Sequence, residues 1–311
     1  MRGTLLSLAL PLLVSLAAPA GRLASPAASH LGSLVFRPGS QPLGTPTPGG
    51  TFSYPAGVAV GPDGSIYVVD SDNSVVKKIS AAGEVSTLAS GGLAYPTGVA
   101  VAADGTVYVA DAGSHSIKKV SPSGELSALA DHGLTYPAGV AVAADGTVYV
   151  ADAGREANEG AVRRITPQGR VSTLAKGFNK PNGVAVAPDG TVYVADTDNN
   201  SVKKVSPAGA VSELSCPKLN KPHGVALDAA GRVYVADTFN NSVQKITVGG
   251  GAVSLASGFT YPSGVAVDAA GAVYVTDTGH SALKKISPTG EVSTLAENAA
   301  STAAQLPLSK D

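Results

Sequence analysis

Apolar residues along most of this chain occur in short runs in which every second position is hydrophobic. The segment from residue 95 to residue 130 shows this alternation clearly, with apolar positions at Val99, Val101, Val107, Val109, Ile117, Val120, Leu126 and Leu129. Turn residues interrupt the runs at Asp104-Gly105 and at Ser121–Gly124. Alternation with a period of two predicts half-buried strands, so this segment predicts four antiparallel strands, which we name a to d in chain order.

The same pattern occurs six times along the chain. Each copy begins with Pro-x-Gly and has Tyr-Val-x-Asp in its second strand. The copies begin at Pro55, Pro96, Pro137, Pro181, Pro222 and Pro262, which are 40 to 44 residues apart. A period of this length, made of short strands that cannot bury their faces alone, is typical of propellers. We therefore predict an all-β fold, a six-bladed β-propeller of four-stranded antiparallel blades, over residues 51–297.

The direction of the strands assigns the loops of each blade to two faces. Strand a begins, strand b ends and strand c begins at the same end of a blade, so Pro-x-Gly and the b-to-c loop share one face. In propellers, the loops on such a face surround the central channel, where ligands commonly bind. We call the surface formed by the six Pro-x-Gly segments and the six b-to-c loops the channel face.

Residues that every copy shares are expected to serve the ring rather than one reaction. Each copy has an Asp at the end of strand b, namely Asp70, Asp111, Asp152, Asp196, Asp237 and Asp277. We predict that these carboxylates accept hydrogen bonds from turn amides. Strand c carries cationic pairs such as Lys77-Lys78 and Lys203-Lys204, and we predict that one member of each pair lies along a neighbouring blade while the other faces solvent.

Composition narrows the classes of partner. The formal net charge is −1 and 14% of the residues are charged, so no strong field draws the chain to nucleic acid. Cys216 is the only cysteine, so no intramolecular disulfide can form, and the sequence shows no paired base that would make it a catalytic thiol. We predict no nucleic-acid partner.

Residues 1–20 have the pattern of a secretory signal. One Arg precedes an apolar run over Leu5–Ala17, and the small residues Ala18 and Ala20 follow it. The run is shorter than the about 20 apolar residues that a transmembrane helix needs. We therefore predict a secreted monomer, extracellular or periplasmic, without membrane insertion.

The segments that flank the repeats differ from them in composition. Residues 21–50 are rich in Pro and Gly and are predicted to form a linker, and residues 298–311 are predicted to form a C-terminal tail. Within the linker, Ser33–Phe36 is either an extra edge strand or part of the linker itself.

The consensus PxGVAVxxDGxVYVADxxNxxVxK over residues 54–296 resembles the repeats of NHL-repeat proteins, whose domains are six-bladed propellers. The chain departs from the commonest form of that family in strand c. An Arg usually stands two residues after the turn Asn, and here those positions hold Val75, Ser116, Ser201, Ser242 and Ala282. The resemblance therefore supports the propeller fold and does not extend to RNA binding by some NHL domains. WD-repeat propellers are excluded because the chain has no Trp.

Two enzyme groups with NHL-like folds indicate what a catalytic site would need. In peptidylglycine amidating lyases, His residues directly after a Pro bind zinc in the channel, and gluconolactonase-like propellers bind a divalent ion with Glu and Asn. The equivalent positions here are Ala56, Thr97, Ala138, Asn182, His223 and Ser263. Because this set has one His and no carboxylate, we predict no catalytic residue, no metal and no other cofactor. His115 and His280 stand in b-to-c loops, too far across the ring from His223 to share an ion.

The positions at which the copies differ are where a ligand would be recognised. Before Pro-x-Gly, four copies have Tyr but blades four and five have Lys, and blade three has an insertion around Arg155 in its b-to-c loop. The predicted ligand-binding residues are Lys180, Asn182, Lys221, His223, Asn199 and Asn240. The two Lys would supply charge, and the amide and imidazole would supply direction, to an anionic or polar ligand. The alternative is that these surface loops vary without a function.

These observations predict a non-catalytic binding module that takes a protein, a peptide or a polar small ligand on the channel face. The alternative is a metal-dependent lyase or lactone hydrolase resembling the amidating-lyase or gluconolactonase-like propellers, which would polarise an oxygen at a channel-bound divalent ion. A third interpretation is a sensor or scaffold that acts only through a partner.

Overall fold

The computed structural model describes residues 52–216, 218–247 and 251–298, which form 24 strands and four short 3₁₀ helices. Each copy of the repeat folds into one four-stranded antiparallel sheet in the order a-b-c-d, so the predicted six-bladed all-β propeller is confirmed. The predicted signal (1–20), the predicted linker (21–50) with Ser33–Phe36, and all of the predicted tail except Asn298 lie outside the described residues.

The first three blades differ mainly in the length of their outer strand, which is longest in blade three. Blade one contains β1 (Pro55–Val60), β2 (Ile66–Asp70), β3 (Val75–Ile79) and β4 (Val85–Ser90). Blade two contains β5 (Pro96–Val101), β6 (Val107–Asp111), β7 (Ser116–Val120) and β8 (Leu126–Ala130). Blade three contains β9 (Pro137–Val142), β10 (Val148–Asp152), β11 (Gly160–Ile165) and β12 (Val171–Phe178).

The last three blades each have a 3₁₀ helix at the start of the b-to-c loop. Blade four contains β13 (Pro181–Val186), β14 (Val192–Asp196), β15 (Ser201–Val205) and β16 (Val211–Glu213). Blade five contains β17 (Pro222–Leu227), β18 (Val233–Asp237), β19 (Ser242–Ile246) and β20 (Ala252–Ser257). Blade six contains β21 (Pro262–Val267), β22 (Val273–Asp277), β23 (Ala282–Ile286) and β24 (Val292–Glu297). The helices are Ala112–Ser114 in blade two, and Thr197–Asn199, Thr238–Asn240 and Thr278–His280.

The hydrophobic core lies between neighbouring blades. Tyr67 and Val69 of blade one, for example, pack with Val99, Val107 and Val109 of blade two, and all five side chains are buried. A single blade would leave these faces in water, so the burial of apolar surface that stabilises the fold requires the neighbouring blade.

The glycine of each Pro-x-Gly lies against the innermost strand of the next blade. A β-carbon added at Gly57 would lie 2.9 Å from the carbonyl oxygen of Thr97, and one at Gly224 would lie 2.5 Å from that of Ser263. The same overlap with the next blade occurs at Gly98, Gly139, Gly183 and Gly264. Real β-carbons do not approach backbone oxygens so closely, so glycine is required at all six positions. The six innermost strands therefore meet backbone to backbone around the channel.

The ring closes without exchange of a strand, because every described sheet draws its four strands from one copy. At the junction of blades six and one, the Thr278 hydroxyl donates to the carbonyl of Pro55 (2.7 Å) and the Thr276 hydroxyl to that of Ala56 (2.6 Å). Equivalent bonds to the next Pro-x-Gly proline are donated by Ser71, Thr197 and Thr238. The closing junction thus shares the Thr278 bond with three other junctions and adds the Thr276 bond, because Thr276 is the only hydroxyl residue at the x of Tyr-Val-x-Asp.

The strand-end carboxylates have the structural role that the sequence predicts. Each Asp is almost fully buried and accepts a backbone N–H from the segment before Pro-x-Gly of its own blade, at 2.6 to 3.0 Å. The donors are the amides of Ser53, Ala94, Thr135, Asn179, Asn220 and Thr260. These bonds hold the start of strand a against the end of strand b on the channel face.

The two cations of each strand-c pair have different surroundings. The first member forms an ion pair with the buried Asp in four blades, through Lys77, Arg163, Lys203 and Lys284 at N–O distances of 2.5 to 3.1 Å. In five blades the second member is a Lys whose ammonium lies over the ring of the strand-b Tyr, as that of Lys204 does over Tyr193 at 5.6 Å. The hydrophobic stems of both members therefore pack on protein.

Blade five lacks the cation. Gln244 replaces the first Lys and donates to the Ser242 hydroxyl, so Asp237 keeps only its bonds from the Asn220 backbone and the Asn240 amide. Burial raises the pKa of Asp237 above its ordinary value. A carboxyl with a raised pKa in the folded state binds its proton more tightly there, so its contribution to stability decreases as the pH rises through that pKa.

Gln244→Lys should stabilise the protein at neutral pH. The new ammonium would pair with the ionised Asp237, and we expect the free energy of unfolding to rise by about 1 kcal/mol at pH 7. The gain should be smaller near pH 3, because protonation of Asp237 removes the charge with which the ammonium pairs. Urea unfolding of the wild type and the variant at both pH values measures the difference. Gln244→Met, which adds an apolar chain without charge, is the control, and a gain that is equal at both pH values would contradict the explanation.

Candidate functional site

The residues on either side of each Pro-x-Gly proline form two rings around the mouth of the channel. The inner ring follows the prolines and consists of Ala56, Thr97, Ala138, Asn182, His223 and Ser263. The outer ring precedes them and consists of Tyr54, Tyr95, Tyr136, Lys180, Lys221 and Tyr261. Five of the six outer residues have φ between 50° and 60°, a left-handed conformation that is uncommon for residues other than glycine. This turn directs their side chains onto the channel face.

Blades one to three give the channel face an aromatic sector. The rings of Tyr54 and Tyr95 lie 6.3 Å apart, centroid to centroid, with 31° between their planes. Burial raises the pKa of Tyr54, Tyr95 and Tyr136, and the proximity of the phenols to one another adds to the increase for Tyr95 and Tyr136. The charge of Asp72 adds to the increase for Tyr54 and Tyr95, and the three phenols are therefore uncharged at neutral pH.

Lys180 is held by the insertion in blade three. Its ammonium donates to the carbonyl oxygens of Arg155 (2.5 Å) and Gly154 (3.3 Å). The insertion itself is fixed by Glu159, whose carboxylate accepts the backbone N–H groups of Arg155 and Glu156. The structure thus places the insertion on the channel face, as predicted, but gives the Lys180 ammonium two protein partners. Its contact with a ligand stays a prediction.

Lys221 forms an ion pair that the sequence did not predict. Its ammonium lies 2.7 Å from the carboxylate of Asp198, which the b-to-c loop of blade four extends over the start of blade five. The Lys221 backbone N–H donates to the Asn200 side chain of the same loop (2.8 Å). The six inner-ring positions contain no carboxylate, and Asp198 adds one beside them because a b-to-c loop contacts the Pro-x-Gly segment of the next copy.

Asn199 and Asn240 stabilise their own loops. Asn199 donates its side-chain N–H to Asp196, and Asn240 donates to Asp237, both at 2.8 Å. Each of these predicted ligand-binding residues therefore makes a hydrogen bond that stabilises the base of its loop. Their contact with a ligand stays a prediction.

Asn182 and His223 lie side by side on the neighbouring strands β13 and β17. Neither side chain makes a hydrogen bond to any described residue, and both are partly accessible to solvent. Burial lowers the pKa of His223 to about 4; Asp198 opposes that shift and Lys221 adds to it. The imidazole is therefore neutral at physiological pH and presents one donor and one acceptor at the mouth.

The donor set does not fit the metal sites of the enzyme groups that share this fold. No group of three His, Cys, Asp or Glu side chains converges within the described ranges. His115 is bonded through Nδ1 to the carbonyl oxygen of Thr135 (2.7 Å), and His280 through Nδ1 to Asp277 (2.8 Å). The three histidines of the channel face thus occupy separate surroundings.

No described helix has the length and apolar character that crossing a membrane requires.

Comparisons with known proteins identify the repeat and a family. The model of the virginiamycin B lyase family matches residues 41–246, about two thirds of the chain, and that of the NHL repeat matches residues 259–286. The predicted NHL resemblance is confirmed. No curated protein matches the sequence.

Solved structures confirm the fold at low sequence identity. A virginiamycin B lyase from Staphylococcus aureus is 15% identical with a TM-score of 0.58, and the match covers 78% of this chain and 84% of the other. A gluconolactonase from Xanthomonas campestris is 19% identical with a TM-score of 0.66, covering 79% and 88%. A streptogramin B lyase is 14% identical with a TM-score of 0.60, covering 81% and 85%. At these identities the likeness shows the propeller alone.

Proposed function

We propose that this chain, which belongs to the virginiamycin B lyase family, binds a polar small ligand or peptide at the channel mouth through His223, Asn182 and the Lys221–Asp198 pair. The observation that carries the proposal is the adjacent placement of an imidazole and an amide that have no hydrogen-bond partner among the described residues. Both side chains are partly accessible to solvent, so a ligand that enters the mouth can supply their hydrogen-bond partners. A location outside the cytoplasm, which residues 1–20 predict, is part of the proposal.

The charges around the site favour an uncharged polar group over a free anion. The ammonium of Lys221 is paired with Asp198, and that of Lys180 donates to two carbonyl oxygens. The neutral imidazole and the amide each offer both a donor and an acceptor, which suits the carbonyl, amide or hydroxyl groups of a ligand. The phenols across the mouth can pack on an apolar or ring-shaped portion of the same ligand.

A lyase or lactone hydrolase is the second candidate, and two observations favour it. The family is named for a lyase, and Asp198 lies close enough to His223 to influence its pKa. Proton abstraction by His223 would then begin the reaction. A base with a pKa of about 4 is a weak proton acceptor at neutral pH, so the geometry supports binding better than catalysis.

His223→Ala should weaken binding by about tenfold, because one hydrogen bond to a partly buried group is lost. Quinupristin, gluconolactone and an N-acetylated tripeptide amide serve as probes, and saturation-transfer NMR with the purified protein measures binding. Asn182→Ala should have a similar effect, whereas His115→Ala, a channel-face histidine outside the site, should have none. Affinity should stay constant from about pH 5.5 to about pH 8, because His223 does not titrate there.

The same experiment separates the two candidates. Equal binding by the wild type and His223→Ala, or no binding of any probe, would remove the proposal. Conversion of quinupristin or gluconolactone by the wild type, abolished in His223→Ala, would establish the enzyme instead.

A further inference from the structure

Three polar side chains in blade six lie in line, from a buried carboxylate to a hydroxyl. The Nδ1 atom of His280 lies 2.8 Å from Oδ2 of Asp277, and its Nε2 atom lies 3.3 Å from Oγ1 of Thr260. Asp277 is fully buried, whereas Thr260 and His280 are half-buried. A buried carboxylate, an imidazole and a hydroxyl in this order are the components of an activated nucleophile.

The surroundings of Asp277 determine the tautomer of His280. The ammonium of Lys284 lies 2.5 Å from the same carboxylate oxygen and forms an ion pair with it. An ionised carboxylate only accepts hydrogen bonds, so a neutral His280 carries its proton on Nδ1. The lone pair of Nε2 then faces Thr260, whose hydroxyl donates to it.

Two further hydrogen bonds fix Thr260 against the end of strand b and the b-to-c loop of blade six. Its backbone N–H donates to Oδ1 of Asp277 (2.6 Å), and its carbonyl accepts the N–H of Gly279 (2.8 Å). A β-carbon at Gly279 would overlap the Thr260 methyl group, so this glycine lets the loop pack directly on the threonine. The hydroxyl is therefore held in place before any substrate arrives.

Among the six blades, this combination occurs in blade six alone. The two positions compared are the residue two before the Pro of Pro-x-Gly and the residue three after the strand-end Asp. They hold Ser53 with Asn73, Ala94 with Ser114, Asn179 with Asn199, Asn220 with Asn240, and Thr260 with His280. In blade three the insertion interrupts the b-to-c loop, so Thr135 has no such partner position. In blades one, four and five, Asn donates to the strand-end Asp as His280 does here. An Asn at this position therefore preserves the loop, and only the His adds a base.

We propose that Thr260 is a nucleophile that accepts acyl groups from activated carboxylic esters, with His280 as its general base and Asp277 as the group that orients His280. This site shares no residue with the proposed ligand site at the channel mouth, and the inference does not rest on the proposed function. Thr260 Oγ1 forms a bond to the ester carbonyl carbon as its proton passes to His280 Nε2. The bond from that carbon to the alcohol or phenol oxygen breaks, and the leaving group takes the proton. Water then hydrolyses the acyl-threonine to a carboxylic acid.

The test uses the full chain and p-nitrophenyl acetate as the acyl donor. Release of p-nitrophenol gives the rate, and mass spectrometry of peptides locates the acetyl group. We expect acetylation at Thr260. His280→Asn and Thr260→Val should each lower the rate of acetylation at this site by about tenfold or more, because they remove the base and the nucleophile. Thr260→Ser should restore labelling, since it returns a hydroxyl.

Controls keep a folding defect from imitating the result. His280→Asn places the residue of blades one, four and five in the loop, so its thermal midpoint should match that of the wild type. His115→Asn removes a histidine that faces no hydroxyl and should leave labelling unchanged. Acetylation confined to lysines, or labelling of Thr260 that survives His280→Asn, would overturn the proposal.

Discussion

Gly183→Ala should destabilise the propeller by about 3 kcal/mol or more, or prevent it from folding. The added methyl group would overlap the carbonyl oxygen of His223, which belongs to the backbone of the next blade. A flexible side chain could move aside, but this oxygen belongs to β17, which is hydrogen-bonded to β18. The overlap can be relieved only if blades four and five separate, and that exposes the apolar surface between them. Urea unfolding measures the effect.

Gly83→Ala is the matched control for this variant. Gly83 has a φ of 84°, and a β-carbon added there would have no neighbouring atom within 4 Å, so the substitution tests conformational strain without a clash. We expect it to lower the free energy of unfolding by about 1 kcal/mol. Similar losses of stability in the two variants would show that the close contact between the innermost strands is not what makes glycine necessary at position 183.

Asp196→Ala should lower the free energy of unfolding by about 3 to 5 kcal/mol, because it removes a fully buried carboxylate with three partners and leaves the largely buried ammonium of Lys203 without its anion. Asp196 accepts the Asn179 backbone N–H (2.6 Å) and the Asn199 side chain (2.8 Å), and it pairs with Lys203 (2.5 Å). Without the carboxylate, the Lys203 ammonium lies over the ring of Phe178 with no anion beside it. Urea denaturation at pH 7 measures the loss.

Asp237→Ala provides the comparison, since blade five has the same backbone bond but no cation. It removes the bonds from Asn220 and Asn240 and leaves no charge unpaired, so we expect a loss of about 1 to 3 kcal/mol. If the two aspartates prove equally important, the ion pair of blade four contributes nothing beyond its hydrogen bonds.

The sequence predicts the blades well because their determinants are local and occur six times. A period-two pattern predicts a strand wherever it occurs, and one strand-end Asp, such as Asp70, suffices to identify the role of the other five. The sequence does not predict the glycine contacts between blades, because Gly57 and Thr97 are distant in the chain and meet only when neighbouring blades pack.

The candidate site is less predictable because each of its polar groups depends on a neighbouring loop. Nothing near Lys180 in sequence indicates that the backbone carbonyls of the insertion, at Gly154 and Arg155, will take up its ammonium. Asp198 and Lys221 belong to different blades, so their pairing follows from how a b-to-c loop lies on the next copy. The His223 side chain has no hydrogen-bond partner among the described residues because of how the neighbouring blades meet at the channel mouth. The sequence of its own strand does not reveal this.

The junction between blades six and one has a topological consequence. Its glycine contact and the bond from Thr278 to Pro55 are of the same kind as those at other junctions, so the junction between blades six and one is held in the same way as junctions within the chain. The Asn298 side chain donates to the carbonyl of Phe52 (3.2 Å), so the two ends of the ring already meet. A circularly permuted gene would therefore encode the same set of contacts between blades.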